Sequence, residues 1–243
     1  MRKLLLVALS ASLSALSLLA GDLTITSKVT GRGPGTKDGT QIQYMTSDRV
    51  RINHPAGTDS MVDYGKGVIY AIDHGKKTIT RMTFKDLQET MAAMDQQMGG
   101  MASMVTRMMF GDASKVKVEK LGADTVLNRP CEKVRITIGK MVEVLSLDPS
   151  LQFPIHDYAK AMAMMTRMPG PMGDLFKRLY EEVGRLKGVP LRTTVKGPMG
   201  MDVTTEATAI STSAIPAGVW ALPADYKVVD GGQEMKEHMS GRH

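Results

Sequence analysis

Cysteine is almost missing: the 243 residues hold one, Cys131, so no intramolecular disulfide framework staples this fold. Stability has to come from packing. Aromatic residues are scarce as well, at 5 % of the chain, and the basic residues are scattered rather than clustered, which leaves neither stacking platforms nor a charged groove for nucleic acid. The five histidines, His54, His74, His156, His238 and His243, stand alone, with no HExxH element and no pair at metal-ligand spacing. Zinc hydrolysis has no support. Beyond the first twenty residues no hydrophobic run reaches membrane-spanning length.

What is present starts with a leader. Met1-Arg2-Lys3 set two positive charges before an apolar run, Leu4 to Leu19, interrupted only by small Ser and Ala, and polar sequence resumes at Asp22. This is the layout of a secretory signal peptide over residues 1–20, cut after Ala20 or Gly21. No Cys lies at the junction to carry a lipid. The chain is therefore expected to be exported, periplasmic or secreted, with no transmembrane segment once the signal is removed. Its formal charge is +6, and losing Arg2 and Lys3 leaves 29 basic against 25 acidic side chains, a mild excess of +4.

Residues 21–230 read as a single domain. From Leu23 the pattern alternates, with Leu23, Ile25 and Val29 on one side and Thr24, Thr26, Lys28 and Thr30 on the other, the period of a half-buried strand. The alternation recurs around Ile42 and Tyr44, Val50 and Ile52, Val62 and Tyr64, Val68 to Ile72 and Ile79 to Met82, with polar turns between, which predicts an antiparallel meander. At Thr83 the period changes. Thr83 and Asp86 form a capping-box-like start, and helical inserts are expected over about 84–110 and 154–186, the second interrupted by Pro169-Gly170-Pro171. Strands return at Lys115 to Leu121, Cys131 to Ile138, Met141 to Leu147, Leu191 to Val195 and Met201 to Ala209, with a short closing strand region at Val219 to Leu222 and Tyr226 to Val229. Residues 231–243 read as a disordered polar tail. The fold class that results is α+β: a curved antiparallel β-sheet, or half-open barrel, with helices covering its concave face.

Methionine is the compositional excess, 21 residues. Met91, Met94, Met98, Met101, Met104 and Met108 fall at steps of three and four, and Met162 and Met165 repeat the spacing in the second insert. One reading is a plastic hydrophobic lid over an apolar ligand; burial in two amphipathic core helices explains the same stripe. The rival chemistry is Cu(I) held by thioethers at Met98-Gly-Gly-Met101-Ala-Ser-Met104 or Met162-Ala-Met164-Met165, although no His or Cys companion stands nearby. Cys131 is expected to be a buried structural thiol. An enzyme would need His74, His156 and Cys131 to converge in space, and the expectation is that the protein is not one. Gly31-Arg32-Gly33-Pro34-Gly35 lacks the Gly-Lys-Ser/Thr element of a phosphate loop and reads as a turn.

Three stretches carry a resemblance when taken together: Asp63-Tyr-Gly-Lys-Gly-Val-Ile-Tyr-Ala-Ile-Asp-His-Gly-Lys-Lys-Thr78, Arg129-Pro-Cys-Glu-Lys-Val134, and Gly188-Val-Pro-Leu-Arg192 leading to Ile215-Pro-Ala-Gly-Val-Trp-Ala-Leu-Pro-Ala-Asp-Tyr226. They resemble the exported bacterial domain-of-unknown-function 4412 family, itself similar to the lipoprotein-localisation-factor (LolA/LolB-like) fold. The resemblance implies a half-open barrel with a helical lid, on a scaffold whose characterised members carry acyl chains or other lipids. It brings over no catalytic residue. The expected partner is a hydrophobic small molecule or lipid, with an envelope protein or lipoprotein as a further one, and no nucleic acid and no cofactor.

Overall fold

The computed structural model describes residues 21–98, 116–152, 177–178, 181–182 and 185–239. The first run is a meander of β1 (Leu23–Arg32), β2 (Gly39–Met45), β3 (Arg49–Asn53), β4 (Thr58–Asp63), β5 (Val68–Asp73) and β6 (Thr78–Thr83), followed by α1 (Phe84–Met98). A second run comprises β7 (Val116–Val126), β8 (Arg129–Ile138), β9 (Met141–Asp148), β10 (Val189–Gly197) and β11 (Met201–Ser211). β12 (Lys227–Asp230) and α2 (Gly231–Met239) follow. All strands join one twelve-stranded sheet in the order β12-β6-β5-β4-β3-β2-β1-β11-β10-β9-β8-β7. Every pairing is antiparallel except that of β12 with β6.

The turns follow from their residues. Asp63-Tyr-Gly-Lys66-Gly67 and Asp73-His-Gly-Lys76-Lys77 repeat one device, in which the Asp Oδ1 accepts the backbone N–H of the Lys three residues on at 2.8 Å. The next residue then takes positive φ, 64° at Gly67 and 51° at Lys77. Between β7 and β8 only Leu127 and Asn128 intervene, at φ 52° and 57°, the two-residue turn whose twist suits a hairpin.

Residues directly opposite in an antiparallel ladder share a face. Val29, Thr205, Thr193, Leu145 and Val134 form one row across β1, β11, β10, β9 and β8, and Gly31, Val203, Val195, Glu143 and Ile136 form the next. We call this the front face. On β1 to β3 it buries Leu23, Ile25, Val29, Met45 and Val50, and on β8 and β9 Val134, Ile136, Leu145 and Leu147. Each such side chain contributes about 1.5–3 kcal/mol relative to exposure. On β4 to β6 burial moves to the other face: Met61, Val68, Ile72 and Ile79 are covered there, together with Arg51 of β3 and Asp59 and Asp63 of β4.

The C-terminal segment contributes that back-face cover. A 3-10 turn at Ala217–Trp220 lies over β3, where Trp220 stacks on the Arg49 guanidinium at 4.9 Å, and the chain then pairs with β6 as β12. Asp230 accepts the N–H of Gln233 at 3.0 Å and opens α2. Its two glycines permit close seating: a Cβ on Gly231 would stand 2.7 Å from Thr80 Cγ2, and one on Gly232 2.8 Å from Asp86 Cβ. Gly231–Met239, read from the sequence as the start of a disordered tail, is thus a helix against β6 and α1.

α1 begins as expected. Asp86 accepts from Thr83 N at 3.0 Å and from Thr83 Oγ1 at 2.5 Å, while Thr83 Oγ1 accepts from Asp86 N at 3.0 Å, a reciprocal cap. The expected helical cover over a concave face is overturned. The structure is an open sheet, and among the described residues its two longer helices, α1 and α2, contact each other and the β6–β12 edge. The physical reason is tethering: α1 leaves β6 with no intervening loop and α2 leaves β12 in the same way, so both helices begin at one margin of the sheet.

Candidate functional site

The front face carries a hollow of about 330 Å³ between β1, β2 and β11 and the turns beside them. Val29, Gln41, Val203 and Thr205 form its floor, with Pro34 to Lys37 on one side and His54 to Ala56 on the other. The lining is mixed: Val29 and Val203 alternate with Gln41 and Thr205 along the sheet, and the flanking turns bring Pro34, Pro55 and Ala56 together with Lys37 and His54. His54 Nε2 lies 3.2 Å from Ser60 Oγ, and burial holds its imidazole below the ordinary value, against the raising pull of Asp59. Neutral His54 offers a hydrogen bond at the mouth without a fixed charge.

Val203 continues along its row to Val195 and Glu143. Glu143 interrupts an otherwise apolar front-face strand, Met141, Leu145 and Leu147, and burial raises its carboxyl above the ordinary value. The sequence reading placed Met141 to Leu147 in a strand without singling out this residue. The signal was a carboxylate at an inward position of that alternation.

A second cluster lies on the back face. Asp59 Oδ2 accepts from Arg51 Nη2 at 2.6 Å and Asn53 Nδ2 at 3.2 Å, and lies 3.1 Å from His74 Nε2. Arg51 Nη1 donates to the carbonyls of Val219 at 2.6 Å and Ala221 at 3.1 Å, and His74 Nδ1 lies 2.9 Å from Tyr226 Oη. Two of the resembling stretches meet here, through His74 of the first and Tyr226 at the end of the last. With its carboxylate consumed by neighbours and its guanidinium tied to main-chain carbonyls, the cluster is a clasp for the C-terminal segment.

Cys131 is buried on β8, and burial, reinforced by Asp148, pushes its thiol above the ordinary value. Its Sγ donates to the Arg129 carbonyl at 3.5 Å. His74 lies between β5 and β6, far across the sheet order from β8, so the two do not converge; His156 lies outside the described residues. Such a thiol is inert. Labelling by a dithiobis-nitrobenzoate reagent at mildly alkaline pH should run about 100-fold slower on native protein than in concentrated guanidinium, and equal rates would contradict this placement.

Of the methionines in the expected lid, Met91, Met94 and Met98 fall within α1, which packs against α2 and β6 and sets Phe84 on Tyr64. Met101, Met104, Met108, Met162 and Met165 lie outside the described residues, as does Met164, so the Cu(I) reading rests almost wholly on residues not described. Among the described residues no group of three His, Cys, Asp or Glu side chains could hold a metal, and no helix is long and apolar enough to cross a membrane.

No match to a curated protein was found. Among solved structures the chain is similar to the Pseudomonas aeruginosa MucA/MucB complex, with 13 % identity over 87 % of this chain and a TM-score of 0.41. It spans 59 % of that chain's length. It is also similar to a LolA superfamily protein from Nitrosomonas europaea, with 6 % identity, 84 % of this chain and 91 % of that one covered and a TM-score of 0.30. A DUF1329 family protein from Desulfovibrio piger gives 12 % identity, 86 % and 92 % coverage and a TM-score of 0.33. The model of the family described as "Domain of unknown function (DUF4412)" matches residues 37–226, a span containing every stretch on which the resemblance was read, and the chain belongs to that family.

Proposed function

We propose that this protein is an exported, non-enzymatic binding module that holds a hydrophobic or amphiphilic ligand, a lipid or acyl chain, against the front face of its sheet. The observation that carries the reading is the front-face hollow, whose volume of about 330 Å³ falls at the lower end of the range for ligand pockets and which runs into an apolar row along Val203 and Val195. The sheet itself, rather than a helical lid, supplies the contact surface. The leader pattern at Met1 to Ala20 supports export.

Native mass spectrometry with organic extraction tests this on protein purified without detergent from its exported compartment. The expected result is an adduct of lipid mass that is lost on denaturation. A clean apo mass that persists after incubation with lipid would sink the proposal, and a stoichiometric copper mass would favour thioether metal binding in its place.

A further inference from the structure

Glu143 has no hydrogen bond or ion pair among the described residues, yet it sits on the face proposed above for ligand, and the inference rests on that reading. Ile136 of β8 and Val195 of β10 stand directly opposite it. Its diagonal neighbours on this face are Val134 and Ile138 on β8 and Thr193 and Gly197 on β10, so neither adjoining strand brings a charged group to it. An ionised carboxylate left unpaired in such surroundings is costly, and burial accordingly raises its carboxyl above the ordinary value. The side chain remains partly exposed and open to a ligand.

We propose that Glu143 is the polar anchor of the front-face site and that the site selects an amphiphile whose head is a protonated amine. Only a cation provides both the opposite charge and the hydrogen-bond donors that no described residue brings to this carboxylate; an anionic head is repelled, and a hydroxyl supplies no charge. From Glu143 the row runs through Val195 to Val203 in the hollow, two strand spacings or about 10 Å. A head at Glu143 therefore lays its tail across β10 into the hollow.

The test is displacement of the neutral fluorophore N-phenyl-1-naphthylamine from the purified protein by dodecylamine, dodecanol and dodecyl sulfate, each below its micelle concentration at neutral pH. Dodecylamine should act at about tenfold lower concentration than dodecanol, the size expected of a charge-assisted hydrogen bond, with dodecyl sulfate weakest. In Glu143→Gln that preference should shrink to about twofold with dodecanol unchanged, and Glu143→Leu should behave alike. Both variants remove a group with no partner among the described residues, so their thermal midpoints should equal or exceed the parent's. Equal action of amine and alcohol on the parent, or an amine preference that survives in both variants, overturns the role of Glu143 and leaves front-face binding standing. Failure of fluorophore and all three amphiphiles to bind overturns both.

Discussion

Replacing Arg51 by methionine should lower stability by about 3–5 kcal/mol, because Asp59, whose side chain is 4 % exposed, would lose the guanidinium that compensates its burial. In a domain of this size the thermal midpoint should fall by about 10 °C. Asn53 and His74 would still reach Asp59, but as hydrogen-bond partners rather than a permanent charge. The same substitution cuts both bonds to the Val219 and Ala221 carbonyls, so limited proteolysis between residues 213 and 226 should accelerate before global unfolding. Arg51→Met combined with Asp59→Leu should recover most of the loss, since removing both charges leaves no orphan. A single variant within about 1 kcal/mol of the parent, which is the worth of an exposed pair, would show that the clasp is not buried in solution.

Asp148→Asn should cost about 2–4 kcal/mol near neutral pH. Asp148 is wholly buried at the end of β9, where its Oδ1 accepts from Ser150 N at 2.9 Å and Ser150 Oγ at 2.6 Å, and its Oδ2 accepts from Arg129 Nε. Burial by itself would raise this carboxyl, yet the hydrogen bonds from Ser150 and Arg129 hold it below the ordinary value. A depressed folded-state pKa means that the stabilisation is complete above the unfolded value, about 3.9, and is lost as pH falls through the folded one. The parent should therefore weaken steeply in acid while Asp148→Asn shows a flatter profile, and the two denaturation midpoints should converge at low pH. Parallel profiles would remove Asp148 from the acid response.

The strands were legible because alternation of β-branched and polar residues survives in sequence wherever one face is buried. Val50 and Ile52 were correctly set on one side of β3. The same alternation, however, assigns Arg51 and Asn53 to solvent, and nothing local says that a segment some 170 residues later will cover them. A closing strand was legible at Tyr226 to Val229, but four residues with no apolar alternation do not reveal the parallel pairing of Lys227–Asp230 with β6. Gly231-Gly232 looked like an unstructured opening because glycine disfavours helices, whereas here the missing side chains let α2 seat on β6 and α1. The methionine stripe announced a helix, of which Phe84–Met98 is described, without specifying the surface it meets. Glu143 was visible as a lone acid in an apolar alternation, but its isolation depends on the register of β8 and β10.

The central position of β1 also sets an order of events. β1 to β6 pair with sequence neighbours through short loops, as do β7 with β8, β8 with β9 and β10 with β11, and such hairpins close quickly; β9 and β10 are also paired, but across residues 149–188. The ladder that joins the two arrays runs from Thr24 facing Ser211 to Arg32 facing Asp202, and the core packs Val126, Cys131 and Leu191 against Leu23, Ile25 and Val50, so the seam brings together residues from opposite ends of the domain. Closing a loop of that length adds entropy cost that neither array bears alone, and joining them should be the slow kinetic phase. A chain threaded through a membrane from its N-terminus would expose the unpaired margin of β1 until β11 had followed it across.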